Sequence, residues 1–309
     1  MKKLKITYKV TKIDSNKELK YILKTRLYIS SKLLIKLKLS HSIFVNGKQE
    51  FVNFIVKEND NITIDFDILE KNENKKRFID KFPKVDKKLD ILFEDEYLLI
   101  VNKPADMPIH PSCDNYDNTL SNIVANYLEK QNIYYIHILT RLDKNTTGIC
   151  IFAKHEYIQE LFTKRKDFIN FKKKYLCIAY GIIKKDHDII EKNIARKEGT
   201  IILREVNENG DFAKTEYTVL KRNIEKNYTV LEVLLHTGRT HQIRVHMSYI
   251  NHPLLGDELY GKEANILDNL KYIDRQALHC KEISFTHPIT HNKITLQSAI
   301  PKDMEKLIK

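Results

Sequence analysis

The sequence predicts an α+β protein made of a small basic N-terminal domain, residues 1–70, and a larger domain of mixed strands and helices, residues 89–309. Three observations lead to this prediction. Short segments of alternating apolar and polar residues recur along the chain and are interspersed with helical patterns. A stretch dense in charge divides the chain near residue 80. The length of 309 residues suffices for two or three domains of about 100–200 residues each.

The N-terminal domain begins with a predicted strand at residues 4–11, where apolar and polar residues alternate. Ser15 and Glu18 have the spacing of a capping box, which predicts a helix immediately after them. Ser30 or Ser31 can cap a second helix that carries leucines on one side and lysines elsewhere. This region is therefore expected to hold a strand followed by a pair of short helices.

The turn pair Asn46-Gly47 then predicts a β-hairpin, and another alternating strand is expected at residues 61–67. Residues 71–88 have dense charge, one proline and almost no periodicity, which is typical of a linker. In the larger domain, residues 90–104 read as two strands joined at an acidic turn. Helical patterns follow among many strand-like runs, near residues 119–130, 155–165 and 240–251.

Composition narrows the class of protein. Lysine and arginine exceed aspartate and glutamate by 53 − 41 = +12, which favours a polyanionic partner because basic side chains displace counterions from phosphates. A lysine-rich proteome is the alternative explanation of this charge. The sequence contains no apolar run of about 18 residues, and its first 14 residues lack the apolar core of a secretory leader, so neither a membrane span nor a leader is expected. The cysteines lack CxxC or disulfide-framework spacing, so a reduced, soluble, cytoplasmic protein is expected: Cys113, Cys150, Cys177 and Cys280.

Several common catalytic motifs are missing from the sequence. It contains no GxGxxG, no phosphate-binding P-loop and no GxSxG nucleophile elbow. HExxH is also absent, and the histidines between residues 236 and 252 lack the spacing of zinc ligands. We therefore expect neither a cofactor nor a metal, and we expect these histidines to make hydrogen bonds or to contact phosphate.

Three segments concentrate residues with special chemistry. The first, RLDKNTTG, places Arg141 and Asp143 before Gly148, which can admit the chain to a buried strand. Alternation along this segment would turn Arg141 and Asp143 toward the same cleft. The second, KKKYLCIAYG, places Tyr175 and Cys177 on one face of a strand.

The third segment, GRTHQIRVH, leads into a helix that Thr240 can cap. Arg244 falls in this helix beside the apolar line of Ile243 and Met247. Burying an arginine there is costly unless its guanidinium meets an anion. Asp143 is the candidate partner.

These three segments resemble the signature motifs of the RluA family of pseudouridine synthases. The segment NKPADMPIHPS at 102–112 and the segment LHCKEISFTHP at 278–288 resemble further parts of that family, and the likeness runs in order over residues 89–301. The resemblance implies a pseudouridine synthase fold with a mixed, largely antiparallel central sheet and flanking helices. Residues 1–70 resemble the αL RNA-binding domain of ribosomal small-subunit protein four.

The resemblance also implies roles for individual residues. The family's catalytic aspartate falls on Asp143, its base-stacking tyrosine on Tyr175, and the arginine that pairs with the aspartate on Arg244. Arg141 matches an arginine implicated in occupying the space that a flipped base leaves. Contacts with RNA are further expected from a set of polar and basic residues: Arg239, His241, Gln242, Lys32, Lys36 and Lys48.

Two positions depart from the family pattern. The family usually has histidine where Thr140 stands, and often glycine where Asp106 stands. These departures put local contacts with RNA in doubt rather than the chemistry.

The implied reaction is the isomerisation of uridine to pseudouridine, which consumes nothing and therefore suits a sequence without cofactor motifs. It needs an extruded base and an ionised carboxylate at the ribose, acting either as a nucleophile or as a base. The expected substrate is structured RNA, ribosomal more than transfer RNA, and the expected oligomeric state is a monomer. Two alternatives are a catalytically silent RNA-binding or ribosome-assembly factor and, more weakly, a glycoside hydrolase, which would normally need a second carboxylate.

Overall fold

The computed structural model describes residues 4–66, 68, 83–111 and 116–309. Within these residues the fold is α+β and contains a four-stranded, a ten-stranded and a two-stranded sheet. Most of the predicted linker, as well as Ser112 and Cys113, lies outside the described residues. In the part of the chain that is described, no helix is both long and apolar enough to cross a membrane.

The N-terminal unit is a small antiparallel sheet with two helices. The sheet has the order β1-β4-β2-β3, and α1 and α2 follow β1. The predicted hairpin is confirmed, because Asn46 and Gly47 have φ values of 51° and 79°, as a two-residue turn of this kind requires. The elements are β1 Lys5–Lys9, α1 Leu19–Thr25, α2 Ser31–Leu39, β2 Ile43–Val45, β3 Lys48–Gln49 and β4 Asn61–Asp65.

The two predicted helices are confirmed, but one predicted cap is wrong. Ser30 caps α2, and its hydroxyl accepts a hydrogen bond from the Leu33 amide at 2.9 Å. The N-cap of α1 is Glu18, which makes no side-chain cap. The Ser15 hydroxyl instead accepts from the Glu58 amide, so the capping box does not form.

The larger unit is organised around the ten-stranded sheet. The main path of this sheet has the order β10-β13-β14-β9-β15-β8-β6-β5, while β16 pairs with β15 and β7 with β8. Its strands are β5 Ile91–Glu94, β6 Leu98–Lys103, β7 His137–Ile138, β8 Thr147–Ala153, β9 Lys172–Tyr180, β10 His187–Glu191, β13 Lys214–Asn223, β14 Tyr228–Leu235, β15 Leu278–Thr286 and β16 Lys293–Gln297. The pairing of β15 with β8 is parallel and the other described pairings in this sheet are antiparallel, which confirms a mixed, largely antiparallel sheet.

Helices flank this sheet, and a separate hairpin stands beside it. The helices are α3 Leu120–Glu129, α4 Glu156–Lys164, α5 Lys166–Ile169, α6 Gln242–Tyr249, α7 Glu258–Glu263 and α8 Lys302–Ile308. The hairpin consists of β11 Ile194–Arg196 and β12 Arg204–Val206. The predicted helices near residues 119–130, 155–165 and 240–251 are thus confirmed as α3, α4 and α6.

Gly148 shows how closely the central strands pack. It lies in β8 with φ of +108°, and a Cβ at this position would lie 2.3 Å from the Cys280 carbonyl oxygen on β15. Only glycine permits this approach of two backbones. The prediction that Gly148 admits the chain to a buried strand is confirmed, and the strand begins four residues after Asp143.

The N-terminal unit packs directly on α4 of the larger unit. The Ser30 amide donates to Glu160 Oε2 at 3.0 Å, and the Tyr157 hydroxyl donates to the Leu27 carbonyl at 3.0 Å. Phe66 stacks on the Tyr157 ring with centroids 5.1 Å apart. These contacts give the N-terminal unit a defined position relative to the larger sheet.

Candidate active site

Five of the predicted site residues line one cleft: Arg141, Asp143, Tyr175, Arg239 and His241. Three segments come together there: the loop between β7 and β8, the start of β9, and the loop between β14 and α6. The cleft has a volume of about 400 Å³. That volume lies in the range of about 300–1,000 Å³ that small-molecule sites occupy. The polar residues that line it include Arg141, Asp143, Lys173, Tyr175, Arg239 and His241.

Arg244 is held between two carboxylates. Its Nη1 donates to Asp143 Oδ2 at 3.0 Å, so the predicted pairing is confirmed. Its Nε and Nη2 donate to the two oxygens of Asp257 at 2.7 and 2.9 Å. Burial alone would lower the pKa of Arg244, but the hydrogen bonds and charges of Asp257 and Asp143 raise it further above its ordinary value. The guanidinium is therefore permanently charged.

The two carboxylates have different surroundings. Asp257 is 1% exposed, and its side chain also accepts from the Tyr260 amide as the N-cap of α7. The Asp143 side chain is 26% exposed and faces the cleft. Arg244 engages Oδ2 of Asp143, and no donor among the described residues reaches Oδ1. This arrangement fixes the Asp143 carboxylate while leaving one oxygen for a ligand.

His241 also lies near the Asp143 carboxylate, and its hydrogen bonds indicate which ring nitrogen carries the proton. Its Nδ1 lies 2.9 Å from the Tyr260 hydroxyl, and its Nε2 lies 3.9 Å from Asp143 Oδ2. The Tyr260 oxygen accepts from the Arg204 amide, so its own hydrogen is available for Nδ1. Desolvation lowers the pKa of His241 in spite of the Asp143 charge, which leaves a neutral ring near pH 7. The bonds favour the proton on Nε2, pointing toward Asp143.

The entry to α6 differs from the predicted one. The N-cap is His241, with φ of 59°, and Thr240 does not cap the helix. The first turn is instead held by Gln242, whose Oε1 accepts from the Arg239 amide at 3.0 Å and from Thr237 at 2.8 Å. The left-handed conformation of His241 brings its ring into the cleft rather than onto the helix surface.

A buried lysine anchors the loop that follows Asp143. Lys103 is fully buried, and its ammonium donates to the carbonyls of Pro104, Met107 and Lys144 at 2.8–2.9 Å. Desolvation lowers the pKa of Lys103 to about 8. Arg275 holds the other side of this loop by donating to the Asn145 carbonyl at 3.1 Å. Asp143 is therefore carried by irregular backbone that buried cations hold in place.

Tyr175 forms a wall of the cleft. It lies on β9, is buried, and lines both the cleft and an adjoining pocket of about 60 Å³ that Asp143 and Arg244 also line. Desolvation raises the pKa of its hydroxyl well above the ordinary value, so the ring stays neutral. A neutral aromatic ring beside a fixed carboxylate can contact the face of a planar base.

Two cations line the cleft without a carboxylate partner. Of the described residues, none accepts a hydrogen bond from the Lys173 ammonium or forms an ion pair with Arg141. Lys173 reaches toward Gly238, where a Cβ would lie 4.0 Å from its Nζ. Desolvation lowers the pKa of Lys173. The ammonium lies 5.5 Å from the Phe171 ring centroid, and without a carboxylate partner it attracts an anion.

The other predicted RNA contacts differ in their surroundings. Arg239 is exposed at the cleft, where its Nη1 lies 3.3 Å from Asp211. Gln242 is buried, and its Nε2 donates to the Lys214 carbonyl and the Thr215 hydroxyl, so its amide is engaged inside the protein.

Lys36 forms an ion pair with Glu156 across the junction of the two units. Lys32 and Lys48 are exposed on the N-terminal unit. RNA contact by these residues stays a prediction, and the bonds of Gln242 and Lys36 give those two a structural part.

The two departures from the family pattern have structural explanations. The Thr140 hydroxyl accepts from the Ile151 amide at 2.9 Å and thereby joins the loop to β8. Asp106 has φ of 56°, a conformation that glycine adopts most readily, and its carboxylate pairs with Lys144 at 2.9 Å. Thr140 thus holds the backbone of the loop that carries Asp143, and Asp106 contacts the side chain of the residue after Asp143.

Asp257, Tyr260 and Lys103 are parts of the site that sequence reasoning missed. Asp257 and Tyr260 stand in the segment GDELYG, where an acidic residue before a helical turn reads as an ordinary N-cap. The need of a buried Arg244 for a second negative charge is the signal that could have identified Asp257. Among the described residues, no group of three or more histidine, cysteine, aspartate or glutamate side chains is placed to hold a metal ion.

Comparison with known proteins relates the chain to enzymes that modify RNA. Residues 97–249 match a family model described as RNA pseudouridylate synthase. The chain is 35% identical over 291 residues to the uncharacterized RNA pseudouridine synthase YhcT of Bacillus subtilis (strain 168). This match covers 93% of this chain and 90% of YhcT. It is 36% identical over 225 residues to ribosomal large subunit pseudouridine synthase D of Vibrio parahaemolyticus, covering 70% of this chain and 68% of that protein.

Solved structures support the fold. The human RNA pseudouridylate synthase domain containing 4 superimposes with a TM-score of 0.54 at 22% identity, covering 71% of this chain and 92% of that chain. The human RNA pseudouridylate synthase domain containing 1 gives the same TM-score at 23% identity, covering 73% and 95%. At these identities the likeness concerns the fold alone.

Proposed function

The chain belongs to the RluA family of RNA pseudouridine synthases, and on that premise we propose that it isomerises specific uridines of structured RNA, with large-subunit ribosomal RNA as its substrate. As an RNA pseudouridine synthase it is an isomerase. The observation that carries the proposal is the fixed Asp143 carboxylate, which is held at one oxygen by Arg244 and open to a cleft at the other. The relatives named for the large ribosomal subunit support the choice of RNA.

Asp143 is the proposed catalytic carboxylate. The reaction breaks the bond between uracil nitrogen and the sugar and forms a carbon–carbon bond to the same ring. An ionised carboxylate serves this reaction either as a nucleophile at the anomeric carbon or as a base at the neighbouring carbon. Oδ1 is the oxygen that Arg244 leaves available for the ribose. The charge-assisted bond at Oδ2 favours the anionic form that both routes need.

Tyr175 and the cations of the cleft are proposed to hold the extruded nucleotide. Stacking on Tyr175 is worth roughly 1–3 kcal/mol per base and would keep the detached uracil in place while it turns. Arg141 is proposed to occupy the space that the base leaves in the RNA, and Lys173 to contact a phosphate beside the target. Both cations line the cleft and have no carboxylate partner in the described part of the chain.

Residues 1–70 are proposed to act as an αL-type RNA-binding domain. Its exposed lysines, Lys32 and Lys48, can meet phosphates, and its contacts with α4 would set their distance from the cleft. The enzyme is further proposed to be cytoplasmic and monomeric, and light scattering would measure its mass in solution. The described cysteines, Cys150, Cys177 and Cys280, are free and buried, in keeping with a reducing compartment.

Mapping of pseudouridines in total RNA, with and without the gene, tests the choice of substrate. The proposal predicts that one or more pseudouridines disappear from large-subunit ribosomal RNA and return when the wild-type gene is restored, but not with Asp143→Asn. Loss of pseudouridine from transfer RNA alone would reject the ribosomal target while keeping the enzyme. An unchanged map would favour a catalytically silent RNA-binding factor.

A further inference from the structure

A second cavity adjoins the catalytic cleft. It has a volume of about 450 Å³ and lies between the β11–β12 hairpin and the loop before α6. It shares part of its lining with the catalytic cleft: Arg141, Gly238, Arg239 and Thr240. We call this second cavity the hairpin groove. If one unit of a polymer occupies the cleft, the neighbouring units can therefore reach the hairpin groove.

The hairpin groove is strongly cationic. Arg141, Arg196, Arg204 and Arg239 line it, and Asp211 is the acidic residue of its lining. Asp211 lies 3.3 Å from Arg239 and is thus already engaged. The four guanidiniums are balanced by one carboxylate, so the groove has a surplus of positive charge that suits an anion.

The two arginines of the hairpin lie directly opposite each other. The register pairs Arg196 on β11 with Arg204 on β12. Like charges in such a pair destabilise a hairpin. Arg204 donates to the carbonyls of its own loop, including that of Leu203 at 2.9 Å. For Arg196, no described residue supplies a hydrogen-bond acceptor or an ion-pair partner. A bound anion would relieve this repulsion.

The hairpin is a built part of the site. Ile194 is buried with Val245 and Tyr260, which anchors β11 to α6 and α7. The turn at Gly210 packs so closely that a Cβ there would lie 2.4 Å from the Ile194 carbonyl carbon. The Arg204 amide donates to the same Tyr260 hydroxyl that contacts His241, and the Tyr260 ring centroid lies 5.0 Å from the Arg244 guanidinium. The groove is therefore fixed relative to the catalytic carboxylate.

We propose that the hairpin groove binds the phosphodiester backbone of the RNA strand next to the extruded uridine, with Arg196 and Arg204 as its phosphate contacts. This inference rests on the proposed function, because it takes RNA as the occupant of the cleft. Guanidinium groups match phosphate geometry and remain charged at any working pH. The shared lining of the two cavities supplies the continuity that an RNA strand needs.

Binding of a fluorescein-labelled oligouridylate of about twelve nucleotides, measured by anisotropy across a range of salt concentrations, tests the groove. Arg196→Gln is expected to weaken binding about tenfold and to reduce the slope of log Kd against log salt by about 0.7, the change for one phosphate contact on a single strand. Arg196→Lys should restore most of the slope, because it restores the charge.

Lys197→Gln is the matched control. Lys197 is the next residue on the same hairpin and forms an ion pair with Glu263 outside the groove, so its loss should leave the slope unchanged. Wild-type slope and affinity in Arg196→Gln, or an equal loss in Lys197→Gln, would overturn the inference.

The outcome is separable from that of the proposed function. Failure of the wild-type protein to modify ribosomal RNA would reject the proposed substrate, whereas the difference between the two variants with the oligouridylate still decides whether the groove binds RNA.

Discussion

Asp143 and Asp257 contact the same guanidinium, and we expect their replacement by asparagine to have opposite consequences. Asp257→Asn removes the charge that receives two hydrogen bonds from Arg244 at 2.7 and 2.9 Å inside the protein. Breaking a buried pair typically costs about 3–5 kcal/mol. Asp143 keeps its one bond to Arg244, so we expect a loss near the lower end, about 3 kcal/mol in the free energy of unfolding.

Asp143→Asn removes the negative charge from a single bond of 3.0 Å, made by a side chain that is 26% exposed. A pair with this exposure contributes at most about 1 kcal/mol to stability. The same replacement removes the ionised oxygen that the proposed reaction requires. We therefore expect nearly wild-type stability and no turnover.

Urea unfolding followed by circular dichroism, together with tritium release from RNA tritiated at uridine C5, measures both quantities for both variants. Asp257→Asn should lower the unfolding midpoint and retain residual turnover, whereas Asp143→Asn should keep the midpoint and lose turnover. Equal stability losses, or full turnover in Asp143→Asn, would refute the assignment of one carboxylate to structure and the other to chemistry.

Three further predictions concern the walls of the cleft and the strand beside it. Tyr175→Phe should keep RNA binding and most turnover because stacking survives. Tyr175→Ala should lose the stacking free energy, roughly 1–3 kcal/mol, and kcat/KM should decrease accordingly. Lys173→Met should weaken RNA binding and reduce its salt dependence, while Lys174→Met, on the opposite face of β9 where it pairs with Glu232 and Glu282, should not. Burial lowers the pKa of His279 to about 4, so the free energy of unfolding should fall as pH decreases from about 6.5 toward 4, and His279→Gln should flatten that slope in urea titrations.

Each of these predictions has an outcome that contradicts it. A severe loss in Tyr175→Phe would assign the hydroxyl to the chemistry. Equal effects of Lys173→Met and Lys174→Met would mean that charge, and not position in the cleft, governs binding. For His279, the folded protein resists protonation that the unfolded chain accepts below about pH 6.5, so stability must decline on acidification. A decline of the same size in His279→Gln would place its cause elsewhere.

The pairing of Asp143 with Arg244 could be predicted from the sequence because burying a charge without a partner costs free energy in any protein. An arginine beside an apolar helical line needs an anion, and Asp143 was the acid in a segment of special residues. The same reasoning stopped at one partner and missed Asp257, whose position before a helical turn offered a sufficient explanation. Lys103 was missed because a lysine after a strand is usually solvated, and its burial depends on three carbonyls that only the folded loop brings together.

The helix boundaries show where local patterns fail. The spacing of Ser15 and Glu18 fits a capping box, yet the chain turns so that the Ser15 hydroxyl meets Glu58 from a distant loop. Thr240 suited a cap, but His241 takes a left-handed conformation that few side chains adopt. The predicted alternation from Arg141 to Asp143 places both at the cleft, although the segment between β7 and β8 is irregular. The β11–β12 hairpin has no pattern distinct from its neighbouring strands, so its groove becomes visible only in the fold.

The role of the Asp143 carboxylate is tested most directly by measuring tritium release for the wild-type protein and for Asp143→Asn. The substrate is unmodified large-subunit ribosomal RNA that carries tritium at uridine C5. We predict that the wild-type protein releases tritium and that the folded variant releases none. Release by the variant at a rate comparable with that of the wild-type protein would contradict the claim that the Asp143 carboxylate performs the isomerisation.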